Sequence, residues 1–367
     1  MTESRERPLR VVIAGGGTGG HLYPGIAVAR EVLRRRPDAR VSFVGTAQGL
    51  ESRVVPKEGF ELDLIRSAGL KGKSIGARTR GAATLPLSVT DAMRVLARRD
   101  PGVVIGVGGY SSGPVVLLAA WRGVPTMVLE QNAIPGLTNR LLARWVRAAA
   151  VNFDATLHHF RGRGFVTGNP VRPEFLRVRS MSERRPTASG RVLILGGSQG
   201  AHAINMAMVA AAPELVRRHP GLEVVHQTGP RDVAEVRAAY GGLGIAARAE
   251  SFLDGVAGEM SEADVVVSRA GATTLAELAA IGCPAVLVPF PAATDDHQRK
   301  NARVLERAGA AVLIDETELK GPRLCDVVSG LLADPARRDA MAAAMRGYAR
   351  PEAAARIVDR LMELATA

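Results

Sequence analysis

Short apolar runs alternate with longer amphipathic stretches along most of the chain. Helical periodicity follows the first run through about Arg36, with Val28, Val32 and Leu33 on one face. Alternating strand and helix signals are typical of α/β folds with doubly wound parallel sheets. The runs that predict strands are residues 11–13, 41–44, 103–105, 126–130, 148–153, 164–167, 223–228, 264–268 and 285–289.

The opening pattern of the chain recurs in its second half. Residues 10–21 are RVVIAGGGTGGH, and residues 191–202 are RVLILGGSQGAH. Each predicts a strand, a glycine turn and a helix. Between them, residues 168–173 break regular structure and residues 176–190 are polar and arginine-rich, as expected of a linker. The pattern therefore predicts two doubly wound domains.

The first glycine turn is a candidate chemical site. A helix predicted to begin near Pro24 would point its amide groups at the turn, which suits a phosphate or a developing negative charge. His21 is the side chain in this turn that could move a proton near neutral pH. The alternative is that the glycines serve packing alone, because glycine motifs are weak in isolation.

The chain length of 367 residues and a hydrophobic content of 47% suit two domains with sizeable cores. No apolar run is long enough to predict a membrane span, and the polar N-terminus is unlike a signal peptide. Two cysteines indicate neither a disulfide framework nor a zinc site, and predict a reducing compartment.

The excess positive charge lies entirely in the first half. Residues 1–170 hold 24 Lys and Arg against 12 Asp and Glu, whereas residues 171–367 hold 24 of each. The first half should therefore meet an anionic partner. Aromatic residues make up only 4% of the chain, which gives few stacking platforms and argues against nucleic acid.

Residues 66–99 interleave basic and apolar side chains, a pattern suited to docking on an anionic bilayer. The alternative is a solvated helix face beside a loop. The residues assigned to membrane contact are Lys71, Lys73, Ile75, Arg78 and Arg80.

Several enzyme classes lack their signatures. Gly15, Gly17 and Gly20 fit the dinucleotide fingerprint, but no acidic residue follows the second strand, and Asp38 precedes it. An NAD-dependent enzyme is therefore disfavoured. The sequence also lacks the P-loop, the H-E-x-x-H motif, the G-x-S-x-G elbow and a D-x-D pair. We therefore predict no metal and no cofactor.

Further candidates follow later strands. A second glycine turn spans residues 106–114, and Asn132 follows the strand at 126–130. Residues 271–274 could open a helix as a diphosphate site. Glu277 could hold ribose hydroxyls, or could be the capping-box partner of Thr274. His202 and His226 are interpreted as structural, without an evident partner.

These segments together resemble the MurG family of peptidoglycan N-acetylglucosaminyltransferases. The motifs that carry the resemblance are GGGTGGHLYPG at 15–25, GVGGYSSGP at 106–114, EQNAIPGLTNR at 130–140, TGNPVR at 167–172, GGSQGA at 196–201 and residues 268–301. The resemblance implies two Rossmann-like domains facing a central cleft, the GT-B arrangement. The first domain would span residues 1–170 with the last helix, about 350–367, and the second residues 171–349.

The family's site residues carry over onto matching positions. His21 would be the catalytic base, Glu277 would hold the ribose, and Phe252 with Leu253 would border the uracil. Gly109, Tyr110 and Ser111 would lie on the acceptor side. The full set of donor contacts would be Thr18, Gly19, Gly20, Asn132, Arg172, Ser198, Phe252, Leu253, Ala272, Thr273, Thr274, Glu277, His297 and Gln298.

The resemblance implies an inverting enzyme that moves GlcNAc from UDP-GlcNAc to lipid I, undecaprenyl-diphosphate-MurNAc-pentapeptide, at the cytoplasmic face of the membrane. The chain departs from the family in having Leu129 where a histidine is usual, and His297 before Gln298 where two glutamines are usual. The alternatives are another GT-B enzyme, such as a UDP-GlcNAc 2-epimerase, or a glycolipid glycosyltransferase.

Overall fold

The structure, a computed structural model, describes residues 8–67, 85–178, 190–197, 200–243, 245, 247–293 and 296–366. The chain divides into two compact units. Unit 1 comprises Met1–Arg172 and Pro351–Ala367, and unit 2 comprises Pro173–Arg350. The first division falls two residues after the predicted boundary at 170, so Arg172 lies in unit 1.

Parallel strands and helices alternate through both units. The strands are β1 (Arg10–Gly15), β2 (Arg40–Gly45), β3 (Glu61–Leu64), β4 (Val103–Gly108), β5 (Thr126–Glu130), β6 (Ala148–Val151), β7 (Gly164–Val166), β8 (Arg191–Leu195), β9 (Glu223–Gln227), β10 (Ala247–Glu250), β11 (Val265–Ser268), β12 (Ala285–Leu287) and β13 (Ala311–Leu313). The helices are α1 (Gly19–Arg35), α2 (Glu51–Lys57), α3 (Leu85–Arg99), α4 (Ser112–Trp121), α5 (Leu137–Leu142), α6 (Pro173–Arg177), α7 (His202–Arg218), α8 (Val233–Gly242), α9 (Val256–Glu262), α10 (Ala272–Ile281), α11 (His297–Arg307), α12 (Gly321–Ala333), α13 (Pro335–Arg346) and α14 (Ala353–Thr366). Two 3₁₀ helices cover Asp154–Phe160 and Glu316–Glu318 among the described residues.

The sheet of unit 1 has the strand order β3-β2-β1-β4-β5-β6-β7. Along each strand, successive side chains point alternately into two apolar cores, one on each face of the sheet. Val11, Ile13 and Ile105 face one core, whereas Val12 and Val104 face the other. Because both faces are covered, the strands are apolar throughout, which explains why continuous apolar runs predicted them.

Helix α1 begins five residues before the predicted start at Pro24. Thr18 is extended, and its carbonyl accepts hydrogen bonds from the amides of His21 and Leu22 at 3.2 and 3.1 Å. Pro24 therefore lies inside the helix rather than at its beginning. His21 consequently lies on the first turn of α1, and its side-chain direction is fixed by the helix.

The last helix, α14, packs on α1 in unit 1, as the sequence predicted. Ile357, Val358 and Leu361 are buried in the same core as Val28 and Val32. Arg35 of α1 forms an ion pair with Asp359 and donates to the carbonyl of Ala355 at 3.2 Å. The chain leaves unit 2 at Pro351, whose ring cannot continue the preceding helix.

Unit 2 repeats the plan of unit 1 with six strands, in the order β10-β9-β8-β11-β12-β13. Its main core lies between β8, β9 and β11 and the helices α7 and α12, and includes Ile194, Met208 and Leu324. The predicted fold class, two doubly wound Rossmann-like domains, is thereby confirmed.

Three strands were missing from the sequence-based prediction: β3, β10 and β13. Strands β3 and β10 have charged residues at alternate positions and lie at the outer edges of their sheets. Strand β13, also at an edge, has only three residues. Because edge strands bury less of their surface, β3 and β10 lack the apolar run that marked the central strands, whereas β13 is apolar but short.

A buried polar cluster supports α7 in unit 2. His226 is fully buried and bonds through Nε2 to Asn205 Oδ1 at 2.9 Å and through Nδ1 to the Tyr240 hydroxyl at 2.8 Å. Asn205 also donates to the carbonyl of Thr228 and to Asp232, each at 2.8 Å, and Asp232 contacts His202 at 3.0 Å. The prediction that both histidines are structural stands, but the expectation that they lack partners was wrong.

Unit 2 should lose stability in acid because of His226. Burial lowers the pKa of His226 to about 3, whereas the unfolded chain titrates near 6.5. Between these values the unfolded state binds the extra proton, so the free energy of unfolding falls with falling pH by about 1.4 kcal/mol per unit. Urea unfolding followed by circular dichroism measures this slope, and His226→Gln should reduce it; an equal slope in that variant contradicts the prediction.

Among the described residues, no helix combines the length and the apolar character that crossing a bilayer would require.

Candidate functional site

Each sheet has a point where the strand order reverses, and ligands of open α/β folds bind outside the carboxyl ends of the strands at that point. In unit 1 the reversal lies between β1 and β4, and in unit 2 between β8 and β11. The glycine turns of the sequence follow these four strands or begin at their ends. The topology therefore brings the predicted turns together in pairs, one pair in each unit.

The two glycine turns of unit 1 are in direct contact. The amide of Gly16 donates to the carbonyl of Gly108 at 3.2 Å. A Cβ at Gly109 would lie 2.7 Å from the Gly16 carbonyl oxygen, and a Cβ at Gly15 would lie 2.2 Å from the Gly108 oxygen. Gly15, Gly16 and Gly109 also have positive φ angles. Glycine is required here because the two backbones touch.

Glu51 joins the first turn to the loop after β2, a role that its local sequence does not indicate. Its carboxylate accepts from the Gly17 amide at 2.7 Å, from the Thr46 amide at 2.8 Å and from the Thr46 hydroxyl at 3.0 Å. The side chain is buried, with 1% of its surface exposed. Its sequence signal was weak, because Glu51 comes six residues after the end of β2.

His21 is oriented by a buried amide. Its Nδ1 lies 3.2 Å from Gln131 Oε1, and Gln131 Nε2 donates to the carbonyl of Val107 at 3.1 Å. Because Gln131 Nε2 donates to the Val107 carbonyl, the Gln131 oxygen is the atom that faces His21. An amide oxygen can only accept a hydrogen bond, so His21 Nδ1 donates to it. Nδ1 therefore carries the ring proton, as assigned from this hydrogen-bond network, and Nε2 is the basic nitrogen.

Glu130 organises the loop that carries Asn132. Its buried carboxylate accepts from the Asn132 amide at 3.0 Å, from the Gly136 amide at 3.0 Å and from Asn139 Nδ2 at 2.9 Å. Burial raises the pKa of Glu130, although these donors oppose the rise. The motif at 130–140 thus contains one internally bonded loop, which explains its spacing of polar residues.

The other predicted residues of unit 1 lie at the same carboxyl edge. Thr18, Gly19 and Gly20 open α1, and Tyr110 is exposed two residues after the end of β4. Ser111 is buried at the start of α4. Arg172, predicted as a donor contact, places its guanidinium 4.8 Å from the ring centre of Tyr23.

The first glycine turn of unit 2 is also tightly packed. The Gly196 amide donates to the Gln227 carbonyl at 3.0 Å, and a Cβ at Gly200 would lie 2.3 Å from the Thr228 oxygen. Ser198, a predicted donor contact, lies outside the described residues, as do Lys71, Lys73, Ile75, Arg78 and Arg80.

Helix α10 begins at the strand-order reversal of unit 2. Gly271 is its N-cap, and Ala272, Thr273 and Thr274 form its first turn. Thr274 is therefore inside the helix, and the capping-box interpretation of Glu277 was wrong. Glu277 lies one turn further on, with 6% of its surface exposed. The amides of the first turn and the helix dipole favour an anion at this end.

Helix α11 begins beside the carboxyl end of β12. Gln298 Oε1 accepts from the Phe290 amide at 3.0 Å, which fixes the amide side chain. Asp296 precedes the helix with a φ of 54°, a left-handed conformation that is unusual for a residue other than glycine. His297 follows it as the first helical residue. Held backbone strain of this kind concentrates at functional sites.

The predicted uracil segment lies after the edge strand β10. The Leu253 amide donates to Gln227 Oε1 at 3.3 Å, and Leu253 is buried. Phe252 by contrast exposes 56% of its surface. An exposed aromatic ring on an anchored loop is suited to cover a planar base. The sequence did not indicate the anchoring role of Gln227.

Within the part of the chain that the structure describes, no three histidine, cysteine or acidic side chains lie together in a way that could hold a metal ion. The two cysteines, Cys283 and Cys325, are both buried and reduced.

Comparison with known proteins identifies relatives over nearly the whole chain. Residues 11–151 match the glycosyltransferase family 28 N-terminal domain, and residues 191–360 match the C-terminal domain of that family. A protein of Anaeromyxobacter sp. (strain K), named UDP-N-acetylglucosamine--N-acetylmuramyl-(pentapeptide) pyrophosphoryl-undecaprenol N-acetylglucosamine transferase, is 48% identical over 97% of this chain and 93% of its own length.

Two solved structures illustrate the range of the fold. The crystal structure of Acinetobacter baumannii MurG has a TM-score of 0.75 and 29% identity, and covers 97% of this chain and 100% of that chain. UDP-GlcNAc 2-epimerase of Neisseria meningitidis, bound to UDP-GlcNAc, has a TM-score of 0.67 and 14% identity, and covers 96% and 99%. The second likeness shows a shared fold only.

Proposed function

The chain belongs to glycosyltransferase family 28, and from this premise we propose that it transfers GlcNAc from UDP-GlcNAc to lipid I. The acceptor is the C4 hydroxyl of MurNAc in undecaprenyl-diphosphate-MurNAc-pentapeptide, and the product is lipid II. The observation that carries this proposal is the 48% identity, over 97% of the chain, to an enzyme named for that transfer.

Unit 2 supplies the groups suited to the donor. The first turn of α10 presents amides and hydroxyls to the diphosphate, and negative charge that grows on the departing UDP is stabilised by these amides. Glu277, one turn further along the helix, accepts hydrogen bonds from the ribose hydroxyls. Phe252 covers the uracil, and Gln298 is held ready to bond the sugar by its contact with Phe290.

Unit 1 supplies the base. The acceptor oxygen forms a bond to the anomeric carbon of GlcNAc while the bond from that carbon to the UDP oxygen breaks, with inversion. The hydroxyl proton passes to His21 Nε2, and Gln131 stabilises the resulting cation because it accepts from Nδ1. Gly109, Tyr110 and Ser111 lie at the same edge and would contact the acceptor.

A UDP-GlcNAc 2-epimerase is the alternative within this fold. The two functions differ in whether a second substrate is needed. We expect the purified chain to release UDP only when UDP-GlcNAc and a lipid I analogue are both present, and to continue in a chelator because amides stabilise the leaving group. Release without the acceptor would contradict the transfer, and loss in the chelator would contradict the role of the amides.

Membrane association at the cytoplasmic face is a further part of the proposal. Trp121 and Leu141 each expose 62% of their surface, and Trp145 exposes 42%. The two tryptophan rings stack edge to face at 5.9 Å, and Arg144 lies 5.2 Å from the Trp145 ring. Aromatic side chains beside arginines suit the headgroup region of an anionic bilayer. We call Trp121, Leu141 and Trp145 the exposed apolar patch.

Replacing Trp121 by serine should weaken binding to vesicles roughly 10-fold, because binding scales with the apolar area inserted. Co-sedimentation with phosphatidylcholine vesicles, with and without phosphatidylglycerol, measures this. Leu243→Ser is the matched control, since Leu243 is 43% exposed but lies in unit 2. An equal loss of vesicle binding in both variants, or no loss in either, would contradict docking through the exposed apolar patch.

A further inference from the structure

Unit 1 contains a carboxylate at the place where a dinucleotide-binding domain would receive a phosphate. Rossmann domains bind the pyrophosphate at the glycine turn after the first strand. Here the Gly17 amide, which belongs to that turn, already donates to Glu51 at 2.7 Å. A phosphate at this amide would have to displace a buried negative charge, so the Gly17 amide is not available to a phosphate. This differs from the anion site that the sequence suggested.

The space around Glu51 is provided by three glycines from separate segments. A Cβ at Gly16 would lie 2.5 Å from the carboxylate, and Cβ atoms at Gly45 and Gly49 would each lie 2.2 Å from the side chain. No side chain larger than hydrogen fits at these positions without moving Glu51. The glycines and the carboxylate therefore form one close-packed cluster that joins the turn after β1 to the loop after β2.

This cluster is in contact with the turn that packs against His21. The Gly16 amide bonds the Gly108 carbonyl, and a Cβ at Gly108 would lie 2.7 Å from His21 Nδ1. The turn held by Glu51 thus packs on the turn against which the histidine ring lies. A shift of the first turn would be transmitted through Gly108 to the ring, and the rate of transfer depends steeply on such positions.

We propose that Glu51 is a positioning residue for the transfer reaction: it fixes the glycine turn that supports His21 and keeps phosphate groups away from the Gly17 amide. The effect on transfer rests on the proposed function, whereas the effect on the turn does not. Glu51 itself touches neither substrate in this account.

Glu51→Gln is the informative variant. An uncharged amide cannot accept all three hydrogen bonds, because one of its two atoms is a donor that faces the Gly17 or Thr46 amide. We expect kcat to fall about 10- to 100-fold, while the KM for UDP-GlcNAc changes less than about 2-fold, because the groups proposed to bind the ribose, the uracil and the leaving diphosphate lie in unit 2. Glu51→Asp keeps the charge and should recover part of kcat.

A second readout does not depend on catalysis. Hydrogen exchange of the peptide that contains residues 14–22 should be faster in Glu51→Gln, since the Gly17 amide loses its acceptor. Glu58→Gln is the control, because Glu58 pairs with Arg30 beside α2 but does not contact the turn. We expect that control to leave both exchange at residues 14–22 and kcat unchanged.

The outcomes separate the two proposals. If residues 14–22 exchange faster in Glu51→Gln but the wild-type enzyme shows no transfer, the result would support the role of Glu51 in holding the turn and would contradict the transferase function. Unchanged exchange, unchanged kcat, or a rise in donor KM that matches the loss in kcat would overturn the positioning role.

Discussion

Replacing His21 by alanine is expected to lower kcat about 10²- to 10⁴-fold, the range typical of a lost general base. The KM for UDP-GlcNAc should stay nearly constant, because His21 lies in unit 1, whereas the groups proposed to bind the ribose, the uracil and the leaving diphosphate lie in unit 2. The expectation follows from the contact of Nδ1 with Gln131, which leaves Nε2 as the basic nitrogen. Steady-state UDP release with a lipid I analogue measures both constants.

The control for this prediction is His158→Ala, an exposed histidine of the same unit. That variant should retain the wild-type kcat. A His21→Ala enzyme with near-normal turnover and intact donor binding would show that another group removes the proton. A parallel loss in both histidine variants would point to damage to unit 1 instead.

Replacing Glu277 by alanine is expected to raise the KM for UDP-GlcNAc about 10²- to 10⁴-fold. A buried carboxylate that bonds two ribose hydroxyls contributes charge-assisted hydrogen bonds, each of which is worth about 1.5–3 kcal/mol. Glu277 is 94% buried at the base of the α10 turn, where the sheet order reverses. Titration with UDP followed by calorimetry tests binding separately from chemistry.

Discrimination between UDP and 2′-deoxy-UDP identifies the contact. The wild-type chain should prefer UDP, and Glu277→Gln should lose most of that preference. Glu235→Gln, an exposed carboxylate on α8 in the same unit, should keep it. If the Glu277 variants bind UDP as the wild type does, or still reject the deoxy nucleotide, the ribose assignment fails.

The central strands were predictable because burial on both faces leaves an uninterrupted apolar signal, as in Val103–Gly108. The pairing of glycine turns was also predictable, since parallel strands place all their carboxyl ends at one edge of the sheet. The start of α1 was not, because Thr18 caps it through its backbone, which leaves no side-chain signature.

The residues that support the site were harder to find. Glu51 reaches the first turn from another segment, and Gln131 acquires its role only through contacts with Val107 and His21. Such long-range contacts have no local pattern. Arg98 and Arg99 show the same point for charge, because both pair with buried Asp63, a contact that the run of basic residues at 66–99 did not indicate.

The transferase function is tested by the mass and linkage of the acceptor after incubation with the chain and UDP-GlcNAc. We expect a lipid I analogue to gain one N-acetylhexosamine, β-linked to the C4 oxygen of MurNAc, with one UDP released per acceptor converted. An acceptor of unchanged mass, while the nucleotide sugar is hydrolysed or epimerised, would contradict it.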